Sequence, residues 1–395
     1  MFAAHYISFL ENMRVETATR LGGVEEYYFS KKLEQIRQLT AAGHDVINLG
    51  IGSPDLPPAP EVIEELTRTA ADPANHQYQS YRGLPELRNA IADFYLRQYQ
   101  VTIDPVKEIL PMMGSKEAIT HISLAFLNPG DQVLIPALGY PTYTSVTKMV
   151  EADPIYFPLL EDQNWEPDWN FLENLNTEKV KLMWINYPHM PTGERGSPEV
   201  VKRLVQFAKD RGILLCHDNP YSFILNDQSS SIFGYEGAKD CCIELNSLSK
   251  TFNMAGWRVG WVVAESEIIQ AILQVKSNMD SGMFKPVQMA AVKALSLSQD
   301  WYNALNETYR NRLRLVYQLL DELDCQYQKE AAGMFVWARV PAGRTGVAVS
   351  DELLEKYHVF ITPGMIFGVA GTNYIRVSLC SPEQRFVAAI NRIRS

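Results

Sequence analysis

From about Val46 to about Gly282 the chain alternates apolar runs of strand length with amphipathic stretches of helical length, and no other feature restricts the fold as much. Strands are expected at 109–113, 133–136, 181–186, 213–217, 243–247 and 259–264, with helices at 116–127, 199–211 and 265–277 among them. Near-continuous apolar strands separated by helices need cover on both faces. The pattern therefore predicts an α/β fold, a mostly parallel sheet covered by helices on both faces. A chain of 395 residues, 46% of them hydrophobic, is long enough for two subdomains. The expected division is a large domain at 46–285 and a smaller α+β domain at 286–395. The smaller one would hold a long helical pattern from Pro286 to about Leu323, strands at 335–340 and 374–379, and a closing helix at 383–394. Residues 14–45, with a helix around 30–42, would complete it, and 1–13 read as an arm on a partner subunit or as a start-site extension.

Within this frame the segment Leu245-Asn246-Ser247-Leu248-Ser249-Lys250, followed by Arg258, concentrates chemistry. A lysine crowded by hydroxyls, with an arginine eight positions on, suits pyridoxal phosphate. The ε-amine can bond to the cofactor aldehyde, while Ser247, Ser249 and the planar, permanently charged guanidinium of Arg258 can bind its phosphate. Most lysines beside serines are merely solvated, so the reading needs support from elsewhere in the chain.

Three stretches supply it. Ile213-Leu214-Leu215-Cys216-His217-Asp218 reads as a buried strand ending in a carboxylate, 32 residues before Lys250, where it can pair with a pyridine nitrogen and keep it protonated. Tyr221 follows and can donate to the ring's phenolic oxygen. At Ile109 to Ala118 an apolar run meets Gly114 and then a helix opening with Ser115 and Lys116; free N–H groups at such a helix start suit a phosphate. The third stretch, containing Asn186, His189, Met190 and Pro191, is a strand entering a proline-punctuated turn.

Asp218, Tyr221, Lys250 and Arg258, in this order and spacing, resemble the fold-type I pyridoxal-phosphate enzymes, specifically the class I/II aminotransferases, over almost the whole chain. The resemblance implies further roles. Tyr140 is similar to the aromatic that stacks on the pyridine ring, Tyr78 to the tyrosine that reaches the phosphate of the neighbouring subunit's cofactor, and Arg376 to the clamp for the substrate α-carboxylate. It also implies a homodimer with shared active sites. The segments Asn48 to Pro57 and Val275 to Gly282, holding Gly52 and Asn278 as substrate contacts, resemble the bacterial LL-diaminopimelate aminotransferases, and with them lysine biosynthesis. Two positions depart from the pattern. Met190 stands where the family has an asparagine before Pro191-Thr192-Gly193, which removes a donor to the phenolic oxygen unless His189 turns in. Tyr81 replaces an acidic residue that in one branch of the family helps to hold the distal ammonium of diaminopimelate.

The implied activity is transfer of an amino group from an amino acid to a 2-oxo acid by a ping-pong mechanism, with Lys250 as covalent anchor and general base. A β- or γ-eliminating lyase would share the cofactor residues and differ in substrate contacts. A cofactor-sensing regulator would need a basic helix-turn-helix module, and none precedes Val46. A net charge of −10 argues against nucleic acid or an anionic membrane as partner. The five cysteines have no paired metal spacing and read as reduced thiols of a cytoplasmic protein; no metal site is expected.

Overall fold

The protein's structure, a computed structural model, describes residues 16–23 and 28–395; the expected arm at 1–13 lies outside them. Seven strands make the large sheet: β1 (Ile109–Met112), β2 (Gln132–Pro136), β3 (Asp153–Phe157), β4 (Val180–Ile185), β5 (Leu214–Asp218), β6 (Cys242–Ser247) and β7 (Gly260–Ala264). Their spatial order is β1-β7-β6-β5-β4-β2-β3. All neighbours are parallel except at β7, which runs antiparallel to both β1 and β6. The segment between β6 and β7, residues 248–259, contains no α-helix to carry the chain back across the sheet, so β7 enters reversed. This return keeps Lys250 and Arg258 together at the C-terminal end of β6. Edge strand β3 escaped the sequence reading because Pro154 and two exposed positions, Asp153 and Tyr156, break its apolar pattern.

Helices cover both faces. Ile119, Ile122, Ile269 and Ile272, from Ser115–Phe126 and Ser266–Lys276, pack with Trp184 and Val262 on one side. On the other, Leu204 and Val205 of Pro198–Arg211 pack with Leu134 and Leu215. The single long helix expected from Pro286 is instead two, Lys285–Leu295 and Gln299–Glu322. Ser296 ends the first, its hydroxyl donating to Lys293 O at 2.8 Å, and Ser298 starts the second in extended backbone.

A second, antiparallel sheet has the order β8-β9-β11-β10, with β8 (Gln326–Tyr327), β9 (Phe335–Arg339), β10 (Thr362–Pro363) and β11 (Tyr374–Ser378). Val316 and Leu320 of Gln299–Glu322 and Phe386 and Ile390 of Glu383–Arg394 share its core. Ile47–Asn48 pairs in parallel with Val359–Phe360, which buries Ile47 and Leu49 in the same cluster. Lys32 of the helix Tyr28–Ala41 is tied to Asp351 at 2.7 Å. Residues 50–53 then run from this sheet towards the end of β6. Among the described residues no helix is long and apolar enough to cross a membrane.

Candidate active site

The C-terminal ends of β4, β5 and β6, the turn after β6, the 50–53 segment and Arg376 of β11 enclose a cavity of about 570 Å³. It has three chemically distinct parts.

One end is built for a dianion. Gly114 follows β1 with φ +88°, and a Cβ there would lie 2.1 Å from Arg258 Nη2, so only glycine lets the guanidinium lie across the start of Ser115–Phe126. Ser247 Oγ donates to Ser249 Oγ at 2.7 Å, and Arg258 Nη1 donates to Ala255 O at 2.8 Å while standing 3.5 Å from Ser249 Oγ. Ser115, Lys116, Ser247, Ser249 and Arg258 all line this end. First-turn N–H groups, three hydroxyls and two cations together suit a phosphate.

The middle is organised around Asp218, the last residue of β5. Tyr143 O–H donates to its Oδ2 at 2.8 Å, and Asn186 Nδ2 donates to its backbone oxygen at 2.6 Å. Asn186 Oδ1 in turn accepts from the Met190 N–H at 2.8 Å, fixing the turn after β4. The Tyr143 ring stacks on Trp184 with centroids 5.0 Å apart and planes at 4°, and meets Tyr140 edge-on. Asp218 Oδ1 is buried and has no hydrogen-bond partner among the described residues. Burial pushes the carboxyl up to about 6, against the opposing hydrogen bond from Tyr143 and the attraction of His217 and Lys250. A bare, buried carboxylate oxygen facing a cavity fits the N–H of a protonated pyridine ring. Tyr140 and Tyr221 line the same space, and burial raises the Tyr221 phenol above its ordinary range.

Lys250 faces this middle part. Its Nζ donates to Gly52 O at 2.7 Å, and burial holds its ammonium below the ordinary lysine range. Gly52 has no room for a side chain, since a Cβ would meet the Phe335 ring at 2.3 Å.

The third part surrounds Arg376. Its Nη2 donates to Gly50 O at 2.8 Å, its Nη1 lies 3.3 Å from Met190 Sδ, and its Cζ sits 3.9 Å above the Phe335 ring and 4.6 Å from that of Phe367. His189 does not turn in to replace the missing asparagine. Its ring nitrogens are engaged by Leu138 O at 3.0 Å and Thr192 Oγ1 at 2.7 Å, and burial lowers its pKa to about 4.

The residues singled out from sequence thus converge, with two exceptions. Tyr78 is 90% exposed, and Asn278 sits on an exposed turn with its amide on Gln274 O at 2.8 Å, closing the helix Ser266–Lys276. Neither lines this chain's own cavity. Sequence reasoning missed Tyr143, Leu33, Ile51, Phe335 and Phe367, which do. Only Tyr143 carried a local signal, one helical turn after Tyr140.

Fold and site together define a transferase of fold type I. Residues 44–393 match the family of class I and II aminotransferases, and the chain belongs to that family. It is 41% identical to an LL-diaminopimelate aminotransferase of Desulforudis audaxviator, over 95% of this chain and 97% of the other, and 37% identical to its namesake from Halothermothrix orenii, over 96% and 98%. The substrate-bound structure of BacF from Bacillus subtilis superposes with a TM-score of 0.92 at 36% identity, covering 97% of this chain and 98% of that one. The protein is an aminotransferase, and its family works in general with pyridoxal phosphate, amino acids and 2-oxo acids.

Proposed function

We propose that this chain binds pyridoxal phosphate at Lys250 and moves an amino group from an amino acid to a 2-oxo acid in two half-reactions at one site. The carrying observation is the buried, partnerless Asp218 Oδ1, set in one cavity with a phosphate-type cradle and a desolvated lysine. The bound cofactor supplies an electron sink for charge developing at the substrate α-carbon.

The chain's own groups do the rest. Lys250 Nζ anchors the cofactor and, once freed by the incoming amine, carries the proton to and from the α-carbon; its lowered pKa keeps more of it in the basic form. Asp218 Oδ1 would hold the proton on the pyridine nitrogen; Tyr143 keeps that carboxylate from rotating, and Asn186 fixes the Asp218 backbone. Tyr221 O–H donates to the phenolic oxygen, Tyr140 covers the ring, and Ser115, Lys116, Ser247, Ser249 and Arg258 hold the phosphate. Arg376 offers its paired N–H groups to the α-carboxylate, which orients the α-carbon towards Lys250.

The working unit in this reading is a cytoplasmic homodimer, divided within each chain as 46–285 and 286–395 completed by 14–45. Gly282 packs so closely on the Tyr78 loop that a Cβ would come within 2.4 Å of Gln79 O. Tyr78 and the 278–282 turn therefore present one exposed face, suited to completing a neighbour's cavity.

The test is Lys250→Ala in the cofactor-loaded enzyme. Transamination is expected to fall by roughly four orders of magnitude, while equilibrium dialysis still finds bound cofactor. Near-natural turnover would overturn the reading.

A further inference from the structure

We infer that the amino donor carries an uncharged, apolar side chain, selected chiefly by Leu33 and Ile51. This rests on the aminotransferase reading, with the substrate α-carbon at Lys250 and its carboxylate at Arg376. These two anchors bracket one stretch of backbone, because Arg376 Nη2 bonds Gly50 O at 2.8 Å and Lys250 Nζ bonds Gly52 O at 2.7 Å. A substrate joining them runs along Gly50–Gly52 and meets the Ile51 side chain, and Leu33 of the helix Tyr28–Ala41 lines the same cavity. The facing surfaces are the Phe335 and Phe367 rings that flank Arg376 and the Met190 thioether.

A cationic side chain finds no counter-ion there among the described residues. Asp218 is the sole carboxylate lining the cavity among the described residues, and it is committed to Tyr143 and the pyridine nitrogen. Asp55, close by in sequence, is held at both oxygens by Arg312, at 2.6 and 2.8 Å. The face proposed to complete a neighbour's site offers Tyr78, Met279 and Phe284, all exposed, while its Asp280 is locked to Lys276 at 2.6 Å in a buried pair. The distal ammonium of a diamino acid would be stripped of water without a partner, which disfavours it strongly. An apolar side chain loses nothing on entering and buries its surface.

The experiment uses the cofactor-loaded full chain and a single half-reaction, followed by loss of the visible absorbance of the lysine-linked cofactor. L-phenylalanine, L-leucine and L-methionine are compared with LL-diaminopimelate, L-lysine and L-ornithine. The best apolar donor is expected to exceed the best diamino acid in kcat/KM by roughly a hundred-fold or more. Calorimetry with non-reacting α-methyl-L-phenylalanine and α-methyl-L-lysine should show the same order in binding. Leu33→Glu should then move the ratio towards diamino acids by roughly ten-fold or more, whereas Leu33→Gln, of similar size, should not. A diamino acid equal to or better than the apolar donors would overturn the inference and leave the aminotransferase reading intact. Failure of every amino acid to react would overturn both.

Discussion

Two carboxylates lie buried on neighbouring strands of the large sheet, one register position apart, and they are treated in opposite ways. Glu244 of β6 pairs with His217 of β5, and Asp218 follows directly. Both oxygens of Glu244 are occupied: Tyr95 O–H donates to one at 2.6 Å, and the other receives the Ile232 N–H at 2.8 Å and lies 3.2 Å from His217 Nδ1. Asp218 has one oxygen held by Tyr143 and the other bare. A satisfied buried carboxylate ties elements together, whereas one left half-satisfied at a strand end is stability forgone at a place where a ligand can complete it. Depth in the protein does not separate the two; partner count does.

Substituting each carboxylate by its amide separates them most widely. Asp218→Asn should lower turnover roughly a hundred- to a thousand-fold, yet stabilise the cofactor-free protein. The carboxyl is raised from 3.8 to about 6 on folding, so folding is favoured by protonation below 3.8 and that advantage is lost as pH rises through about 6. Near neutral pH the amide should therefore gain on the order of 2–3 kcal/mol, and the gain should fade between pH 6 and 4, as read by denaturant unfolding. Glu244→Gln should do the reverse, destabilising by about 3 kcal/mol because it disrupts a filled network while leaving turnover per folded molecule nearly unchanged. Equal stability changes of the same sign would show that the two carboxylates play the same part in the fold.

A smaller effect is expected at Arg376. Arg376→Lys keeps the charge but gives up the planar, paired donors, so kcat/KM for the amino donor should fall roughly ten- to a hundred-fold, mainly through KM. An unaltered KM would remove the α-carboxylate from this arginine.

How much of this was legible in sequence follows from where each group comes from. Lys250, Ser247, Ser249 and Arg258 share one turn, and Asp218 and Tyr221 share another, so local spacing exposed them. The reversal of β7 lies in the short 248–259 link, whereas alternation alone predicts no more than a mostly parallel sheet. The side-chain wall was not legible. Leu33 comes from an N-terminal helix, Ile51 from a linking segment, and Phe335 and Phe367 from the second sheet and the turn after β10, and an apolar residue reads as core until tertiary structure opens a cavity beside it. Tyr78 and Asn278 mark the converse limit: their motifs resemble site segments, but within one chain they face outwards.

The smallest effect is expected at the ring's other edge. With the Met190 sulfur turned to Arg376, and His189 engaged elsewhere, Tyr221 would be left to serve the phenolic oxygen in the proposed reading. Met190→Asn should add a donor and lower the pH midpoint of the visible absorbance of the lysine-linked cofactor by about one unit. A midpoint that stays in place would show that this oxygen already has its full set of donors; an upward movement would show that position 190 does not face it.

Whether the bare oxygen of Asp218 holds a proton on the cofactor ring can be observed directly by nitrogen-15 NMR of the enzyme loaded with ring-labelled pyridoxal phosphate. At mildly alkaline pH the ring nitrogen is predicted to be protonated in the natural protein and unprotonated in Asp218→Asn. An unprotonated nitrogen in the natural protein, or a proton that survives the substitution, would contradict it.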